Sequence, residues 1–520
     1  MEPPLTTYDA VRYPGYTHPQ THPERMAVIG ALTGLQPAPV DRCRVLELGC
    51  GNGNNLVPMA WSLPGSQFVG VDLASQPIRE GLEMVQHLKL ANLRLVCADV
   101  MSVDRGWGEF DYIIAHGVYS WVPQAVREHI LELCRQTLAP HGMAFISYNA
   151  FPGGHLRQML RDMMLFHVRD FESAGERVRQ AMALARFMAD SPTSADEYQL
   201  WMKAEWQALL NHAEGHLYHD ELAEVNQPFY FTQFLQAASA HKLQYVAEAD
   251  YFEIFDYGLR ESTRETLAQL GPNRILREQY LDFLKCRRFR QTLLCHADRS
   301  LGAEPDASRI GGWIVSSMAR CVDAECDLRP GVKQTFQTPK NAHCETDASI
   351  GKAALSLLSA IGPEPLAFDE LFSRSAQLLK QKDLAGETTE PASERLRGFL
   401  LQLYCAGVVE LRTTPPHAAW VVGPKPAASP VARWQIERGN IVTTLLHIPV
   451  QVEDEIGGSL LRWLDGTLDQ AELLEKLWLL LKSKNALRIP DGDEAAARRQ
   501  LQSELEANLA KLAKLGLLIA

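Results

Sequence analysis

Val45-Leu46-Glu47-Leu48-Gly49-Cys50-Gly51-Asn52-Gly53-Asn54-Asn55 is the stretch that decides the fold. Its opening residues suit a buried strand, and its glycines then let the backbone turn tightly and approach a ligand. A helix-like pattern begins at Asn54, so the turn would present the unpaired N–H groups of a helix N-terminus to negative charge. A glycine loop alone says little. Here it follows a strand directly, and Asp72 stands 19 residues beyond Gly53, at the end of a second strand-like run. A carboxylate placed there can accept from both hydroxyls of a ribose.

Working outward, the runs RVLEL, QFVGVDL, LRLVCAD, FDYIIAHG and MAFISYN alternate with helix-length segments at 54–63, 76–90 and 124–138. Within the last of these, Val126, Ile130, Leu133 and Leu138 keep helical spacing. Such alternation predicts βαβ units on a parallel sheet. From His155 to about Ala213 the pattern turns long and helical, as in LRQMLRDMMLFHV and VRQAMALARFMA, which predicts an inserted cap. LQYVAEAD and FRQTLLCH then read as late strands completing the sheet.

Residues 303–341 mix Gly, Pro, Ser, Asp and Thr without sustained periodicity, so a domain boundary is expected there. After it the chain repeats: ALSLLSAIGPEPLAFDELF parallels GSLLRWLDGTLDQAELL, and FLLQLYCAGVVEL parallels NLAKLAKLGLLIA. That alignment sets Leu403 against Leu512 and Gly407 against Gly516. Each unit reads as helices, a glycine cap and a short strand, the outline of a winged helix. The expected class is thus α/β: a parallel-sheet domain with a helical insertion, followed by two α+β winged-helix-like modules. The expected spans are 1–154 with about 227–300 for the sheet domain, 155–226 for a helical middle or regulatory cap, 301–344 for a linker, and 345–423 and 430–520 for the modules.

Composition narrows the function classes. The 520 residues are 46% hydrophobic and 22% charged, as in ordinary folded proteins of several domains. With 51 basic against 63 acidic side chains and a net charge of −12, unspecific attraction to nucleic acid is disfavoured, and no basic cluster offsets this. The most apolar stretches, such as Tyr112–Val122 and Leu473–Leu481, are shorter than the roughly 20 residues a membrane span needs. MEPPLTTYDA lacks the features of a secretory signal, and the ten cysteines form no CxxC pair. A reducing, cytoplasmic location without membrane insertion is expected.

Spacing also selects the cofactor. The dinucleotide fingerprint GxGxxG wants a glycine where Asn54 stands, which disfavours NAD. Glu47-Leu48-Gly49-Cys50-Gly51-Asn52-Gly53 instead resembles the first motif of class I S-adenosyl-L-methionine-dependent methyltransferases. The resemblance implies that the loop with Glu47, Gly49, Cys50, Gly51 and Gly53 underlies the methionine part of the cofactor. It also implies that Asp72 binds the ribose and Asp99 contacts the adenine, with Leu73, Val100 and His116 also at the cofactor. A wider resemblance rests on YPGYTHPQTHPERM, GVYSWVP, SYN-x-x-PG, RDMMLFH, HDELAEVNQPFYFTQF and QYLDFLKCRRFRQTLL. These look like bacterial methyltransferases with a methyltransferase regulatory domain, a group that includes outer-membrane-protein lysine methyltransferases. The resemblance implies a Rossmann-like catalytic domain, winged-helix modules and a protein lysine acceptor.

Loops after the fourth and fifth strands should form the acceptor pocket, because ligands bind beyond the carboxyl ends of parallel strands. Tyr119, Trp121 and Tyr148 offer aromatic walls to a cationic amine, and Tyr119, Tyr148 or His116 could orient it or guide its proton away. Pro228 fixes a turn that could aim Tyr230 at the acceptor. Where the resemblance implies Trp after Pro152-Gly153, the chain has Gly154, which would widen the pocket and admit a small-molecule acceptor instead. His212, His216 and His219 form an HxxxHxxH pattern, for which surface or polar packing is the expected reading and no metal is expected. Arg287, Arg288 and Arg290 could clamp an acidic group or serve as salt-bridged strand flanks. A third class, a DNA-binding regulator, fits poorly, since SERLRGFLLQLYCAG and SELEANLAKLAKLG are mixed or acidic. Oligomeric state is not legible.

Overall fold

The computed structural model describes residues 13, 15–191, 196–211, 214–256, 258–384, 390–486 and 493–519. Helix α1 (Pro23–Leu32) precedes the sheet, with Pro23 at its first position and the ring of His22 accepting from the Glu24 amide. The sheet domain then runs β1 (Arg44–Leu48), α2 (Leu56–Ser62), β2 (Gln67–Asp72), α3 (Ser75–His87) and β3 (Leu93–Cys97). It continues through β4 (Phe110–Ala115), α4 (Gln124–Thr137) and β5 (Leu138–Asn149). The insertion contributes α5 (Gly153–Val168), α6 (Ala174–Asp190) and α7 (Glu197–Leu210), ending in a π-helical turn at Leu217–Glu221. The sheet resumes with α8 (Phe231–Ala240), β6 (Leu243–Glu248), α9 (Glu261–Leu270), α10 (Arg274–Lys285) and β7 (Phe289–His296).

Strand order is β3-β2-β1-β4-β5-β7-β6. The expectation of a parallel sheet needs one correction: β7 runs antiparallel to both β5 and β6, so the seven-stranded sheet is mixed. Alternating strands and helices show that a connection is long, not which way the next strand runs. Central strands are apolar on both faces, with Val45, Leu46, Ile113 and Ile114 fully buried, because helices cover each side. Where the order reverses, Val45 pairs with Phe68 on β2 and with Tyr112 on β4, and the carboxyl ends diverge into a crevice.

The insertion has its own core of Leu160, Met164, Val178, Ala185, Met202 and Trp206. Fully burying an aliphatic or aromatic side chain stabilises by about 1.5–3 kcal/mol, so these few side chains suffice to keep three helices together over the crevice. On β7 the buried Arg290 meets Glu248 at 2.6 Å, Asp282 at 2.8 Å and Glu278 at 3.1 Å. Arg287 pairs with Asp282 and Glu253. Both guanidiniums are committed inside the fold and cannot clamp a ligand, which removes that reading for them.

The span expected as a linker is structured. β8 (Ile314–Ser316) lies centrally in a sheet with β12 (Leu366–Ala367) and β13 (Glu410–Arg412), while β9 (Arg320–Cys321), β10 (Gln334–Gln337) and β11 (His343–Thr346) form another. Strands of two to four residues are too short to display alternation, so they read as loop. The first module therefore draws its central strand from before residue 345, adding α11 (Ser349–Ile361), α12 (Phe368–Gln381) and α13 (Glu390–Cys405). The second holds α14 (Pro430–Ile436), the hairpin β14 (Ile441–Thr443) and β15 (Pro449–Gln451), α15 (Glu455–Trp463), α16 (Gln470–Ser483) and α17 (Glu494–Lys514). The repeat is visible in its caps. Gly407 and Gly516 both take positive φ, and the amides of Val408 and Leu517 reach back to the carbonyls of Leu403 and Leu512.

The first module docks on the sheet domain through α1. Glu24 accepts from the hydroxyls of Thr413 and Thr414 at 2.7 and 2.5 Å, and Arg25 bridges Asp250 and Glu410. Among the described residues no helix is long and apolar enough to cross a membrane.

Candidate functional site

A cavity of about 1060 Å³ fills the crevice at the carboxyl ends of the strands. It has two walls of different origin. The sheet wall presents Glu47, Gly49, Cys50, Gly51, Asp72, Leu73, Asp99, Val100 and His116. The facing wall combines Tyr16 and His18 from the N-terminal segment, Trp121, Arg157 and Leu160 of α5, Glu205 of α7, Asp220 and Glu221 of the π-turn, and Arg288.

Gly51, at φ +54°, has nothing within 4 Å of where a Cβ would stand, so its backbone faces open cavity. Asp72 accepts from the amides of Gly51 and Ala74, each at 2.8 Å, which fixes its carboxylate at the loop. Asp99 accepts from the Met101 amide at 2.9 Å. Gly53 is the one loop glycine assigned to the ligand that does not line the cavity. At φ +74°, its missing Cβ would stand 3.0 Å from Leu95, so it permits the loop to close on β3.

Glu47 is buried, and its Oε1 accepts from Asn55 Nδ2 at 2.7 Å. Burial pushes its carboxyl up to about 8, with the Asp72 charge adding to this and the Asn55 bond opposing it. Its Oε2 has no hydrogen-bond partner among the described residues, and neither has the buried Nδ1 of His116. The His116 ring lies 3.9 Å from that of His18. Enclosure, reinforced by His18, holds His116 well below the usual imidazole range, so it stays neutral.

Across the cavity, Arg157 meets Glu221 at 2.6 Å and Asp220 at 3.5 Å, while Arg288 grips both oxygens of Glu205 at 2.5 and 2.7 Å. Three carboxylates thus face two guanidiniums. Asp220 is the more weakly paired carboxylate of the Arg157 pair; burial pushes it up to about 6, against the pull of Arg157 and with a push from Glu221. The guanidinium of Arg157 also lies 5.8 Å from the Trp121 ring centre.

The expected acceptor aromatics separate. Trp121 lines the cavity, whereas Tyr119 and Tyr148 do not. Tyr119 packs edge-on to Phe234, and Tyr148 stacks on Phe234 at 4.1 Å with its hydroxyl 3.2 Å from Thr292 Oγ1. The tight 3₁₀ turn Tyr119–Trp121 sends neighbouring side chains apart, Tyr119 inward and Trp121 to the cavity. Tyr230 also lies off the cavity, against Phe151 and Phe283, because the turn at Pro228 aims it into the seam between α5 and α10. Gly154 is packed 3.0 Å from Pro228 and does not widen the cavity. His212 lies outside the described residues; His216 stacks on Tyr16 and His219 meets Tyr13 edge-on, so both imidazoles serve to seat the N-terminal segment.

Sequence reasoning missed most of the facing wall. Tyr16 and His18 sit in the YPGYTHPQTHPERM tract without a motif of their own, and Arg157, Glu205 and Asp220 carry no local spacing signal.

Three family models match the chain: "Methyltransferase domain" over residues 45–142, "Predicted methyltransferase regulatory domain" over 213–296, and "PKMT, C-terminal winged helix domain" over 424–517. The regulatory-domain match begins where the helical insertion ends and runs through the last two strands. An uncharacterized protein of Rickettsia prowazekii (strain Madrid E), RP789, is 31% identical over 509 residues, covering 96% of this chain and 90% of its own length. A second from the same organism, RP028, is 38% identical over 233 residues, 45% of this chain and 93% of its own length. Among solved structures, PKMT2 from Rickettsia typhi superposes with a TM-score of 0.86 at 27% identity, covering 98% of this chain and all of that one, and its complex with AdoHcy gives 0.85. With this full-length likeness and the strand-end cavity, the chain belongs to the S-adenosylmethionine-dependent methyltransferases that carry a methyltransferase regulatory domain and a PKMT-type C-terminal winged helix domain.

Proposed function

We propose that the chain methylates lysine side chains of a protein substrate in the cytoplasm. The observation that carries this reading is the two-walled cavity, in which a nucleoside-type cradle faces an acid-rich, aromatic wall suited to a cation. PKMT2, with which the whole chain aligns, supports it by its name, read as a protein lysine methyltransferase, and by its AdoHcy complex.

On the sheet wall, Asp72 is assigned to the ribose hydroxyls, Asp99 with Leu73 and Val100 to the adenine side, and the open backbone of Gly49, Cys50 and Gly51 to the methionine part. The partnerless Glu47 Oε2 and His116 Nδ1 fit a polar ligand there, since buried polar atoms are ordinarily satisfied. When bound, S-adenosylmethionine supplies a methyl group on a sulfonium, which an amine can take by in-line displacement.

On the facing wall, Asp220 and Glu221 attract the lysine ammonium, and Trp121 contacts its aliphatic stem and cationic end. Enclosure then favours the neutral, nucleophilic amine, whose free pKa is about 10.4. Tyr119 and Tyr148 cannot take the proton: burial raises both phenols and both lie outside the cavity. His116, held well below the usual imidazole range, is too weak a base to keep it either, so the ammonium sheds its proton to solvent before the neutral amine takes the methyl and the sulfur departs as a thioether. Catalysis then rests on orientation, which can contribute about 7–11 kcal/mol. Gly154, packed on Pro228, withdraws the motive for a small-molecule acceptor.

The test is incubation with methyl-labelled cofactor and fractionated bacterial lysate. Label in macromolecules is expected; label confined to metabolites contradicts the reading.

A further inference from the structure

The second winged-helix module touches Asn55, a residue that lines the cavity, through the side chain of His447. In the loop joining β14 and β15, His447 takes the left-handed conformation at φ +62°. The loop is pinned by a bond from the Leu445 amide to the Gly516 carbonyl and by bonds around Thr444. The His447 side chain is buried, 5.1 Å from the ring of His22, and its Nε2 lies 3.0 Å from Asn55 Oδ1.

Donor and acceptor roles follow from the neighbours. The backbone amide of His18 donates to the same Oδ1 at 3.0 Å, so that atom must be the oxygen. His447 Nε2 must therefore carry hydrogen and donate. Orientation of the amide turns Asn55 Nδ2 to Glu47 Oε1 at 2.7 Å and to Thr21 Oγ1 at 3.0 Å. Glu47, which lines the cavity and whose Oε2 has no partner among the described residues, is thereby held in place. His18, His22 and the Arg412 guanidinium are the other charged or titratable groups around His447.

We propose that His447 is a positioning residue of the cofactor site, acting through Asn55 on Glu47 and on the start of α2, so that the C-terminal winged-helix module completes that site. The inference rests on the reading of the sheet wall as the S-adenosylmethionine cradle. It assigns the module a task inside the enzyme, distinct from binding an outside partner.

Titration of S-adenosylhomocysteine into the full-length protein by calorimetry tests this. His447→Gln places an amide nitrogen near the Nε2 position and keeps the donor; His447→Asn falls one methylene short; His447→Leu keeps bulk without a donor. Asn tolerates the positive φ at this position better than Gln or Leu does, so a weaker affinity in the Asn variant cannot come from backbone strain. The Gln variant is expected to bind within about twofold of wild type, and the Asn and Leu variants about fivefold to tenfold more weakly, the usual scale of one buried hydrogen bond. Should Leu fold poorly by thermal scan, Asn carries the comparison. Wild-type affinity in Asn, or equal loss in all the folded variants, overturns the proposal while leaving the cofactor reading intact. Absence of binding by the wild type overturns that reading, and this inference with it.

Discussion

The two walls of the cavity differ in how the chain builds them. The sheet wall is local: the loop 49–53, Asp72 and Asp99 follow three successive strands, and each is fixed by backbone bonds such as those from Gly51 and Ala74 to Asp72. The facing wall gathers side chains from six separate segments and is held by ion pairs, Arg157 with Glu221 and Arg288 with Glu205. On the proposed reading, the cradle for a constant ligand sits on strand ends, while the surface that meets the acceptor is gathered from segments far apart in the chain. If so, substitutions on the two walls must separate cofactor binding from methyl transfer.

Asp72→Ala should give the largest effect. On the proposed reading it removes a charged acceptor for two ligand hydroxyls and frees the Gly51 amide, so S-adenosylhomocysteine affinity should fall about thirtyfold or more by calorimetry. Unchanged affinity would break the assignment of the sheet wall. Next, Asp220→Asn should lower the methylation rate about tenfold with cofactor affinity within about threefold. Because burial pushes the Asp220 carboxyl up to about 6, ionisation and attraction for the acceptor grow as pH rises through that value. The wild-type rate should therefore climb between pH 5 and 7, and the Asn variant should lack that step. Equal losses of binding and transfer would erase the distinction between walls.

Smaller effects sharpen it. Trp121→Ala should slow transfer about fivefold, whereas Tyr230→Ala, off the cavity, should change it by less than about twofold; similar losses in rate assays would return Tyr230 to the acceptor site. Glu47→Gln should leave the ligand-free protein folded and alter its pH response. With Glu47 held at about 8 in the fold against an ordinary 4.5, the folded state binds a proton that the unfolded state lacks between those values. Wild-type stability from this group therefore falls as pH rises from 4.5 to 8 and is level above. Thermal scans of the variant should show a shallower decline over that window, and an unchanged slope would place the Glu47 proton elsewhere.

Legibility followed the same division. Glu47 through Asp99 could be read because each stands at a fixed place on a β-α-β unit, where spacing alone determines position. Trp121 was legible as a loop aromatic, but its neighbour Tyr119 was not separable from it, since the turn that sends one inward leaves no mark in composition. Asp220 and Arg157 are 63 positions apart and meet only because α5 packs beside the π-turn. β8 escaped notice because three residues cannot show a period, and the reversal of β7 because strand direction is not encoded in alternation. The repeat of the two modules was legible through Gly407 and Gly516, whose caps need positive φ. Its reach to Asn55 was not, because His447 sits 392 positions away.

The central claim is transfer to the lysine amine, and blocking that amine tests it most directly. Acceptor protein from the labelled lysate fraction is acetylated at lysine, then offered to the enzyme with methyl-labelled cofactor beside an untreated sample. The account predicts label on ε-nitrogens of the untreated protein and loss of nearly all incorporation after acetylation. Undiminished label on the acetylated protein would contradict it.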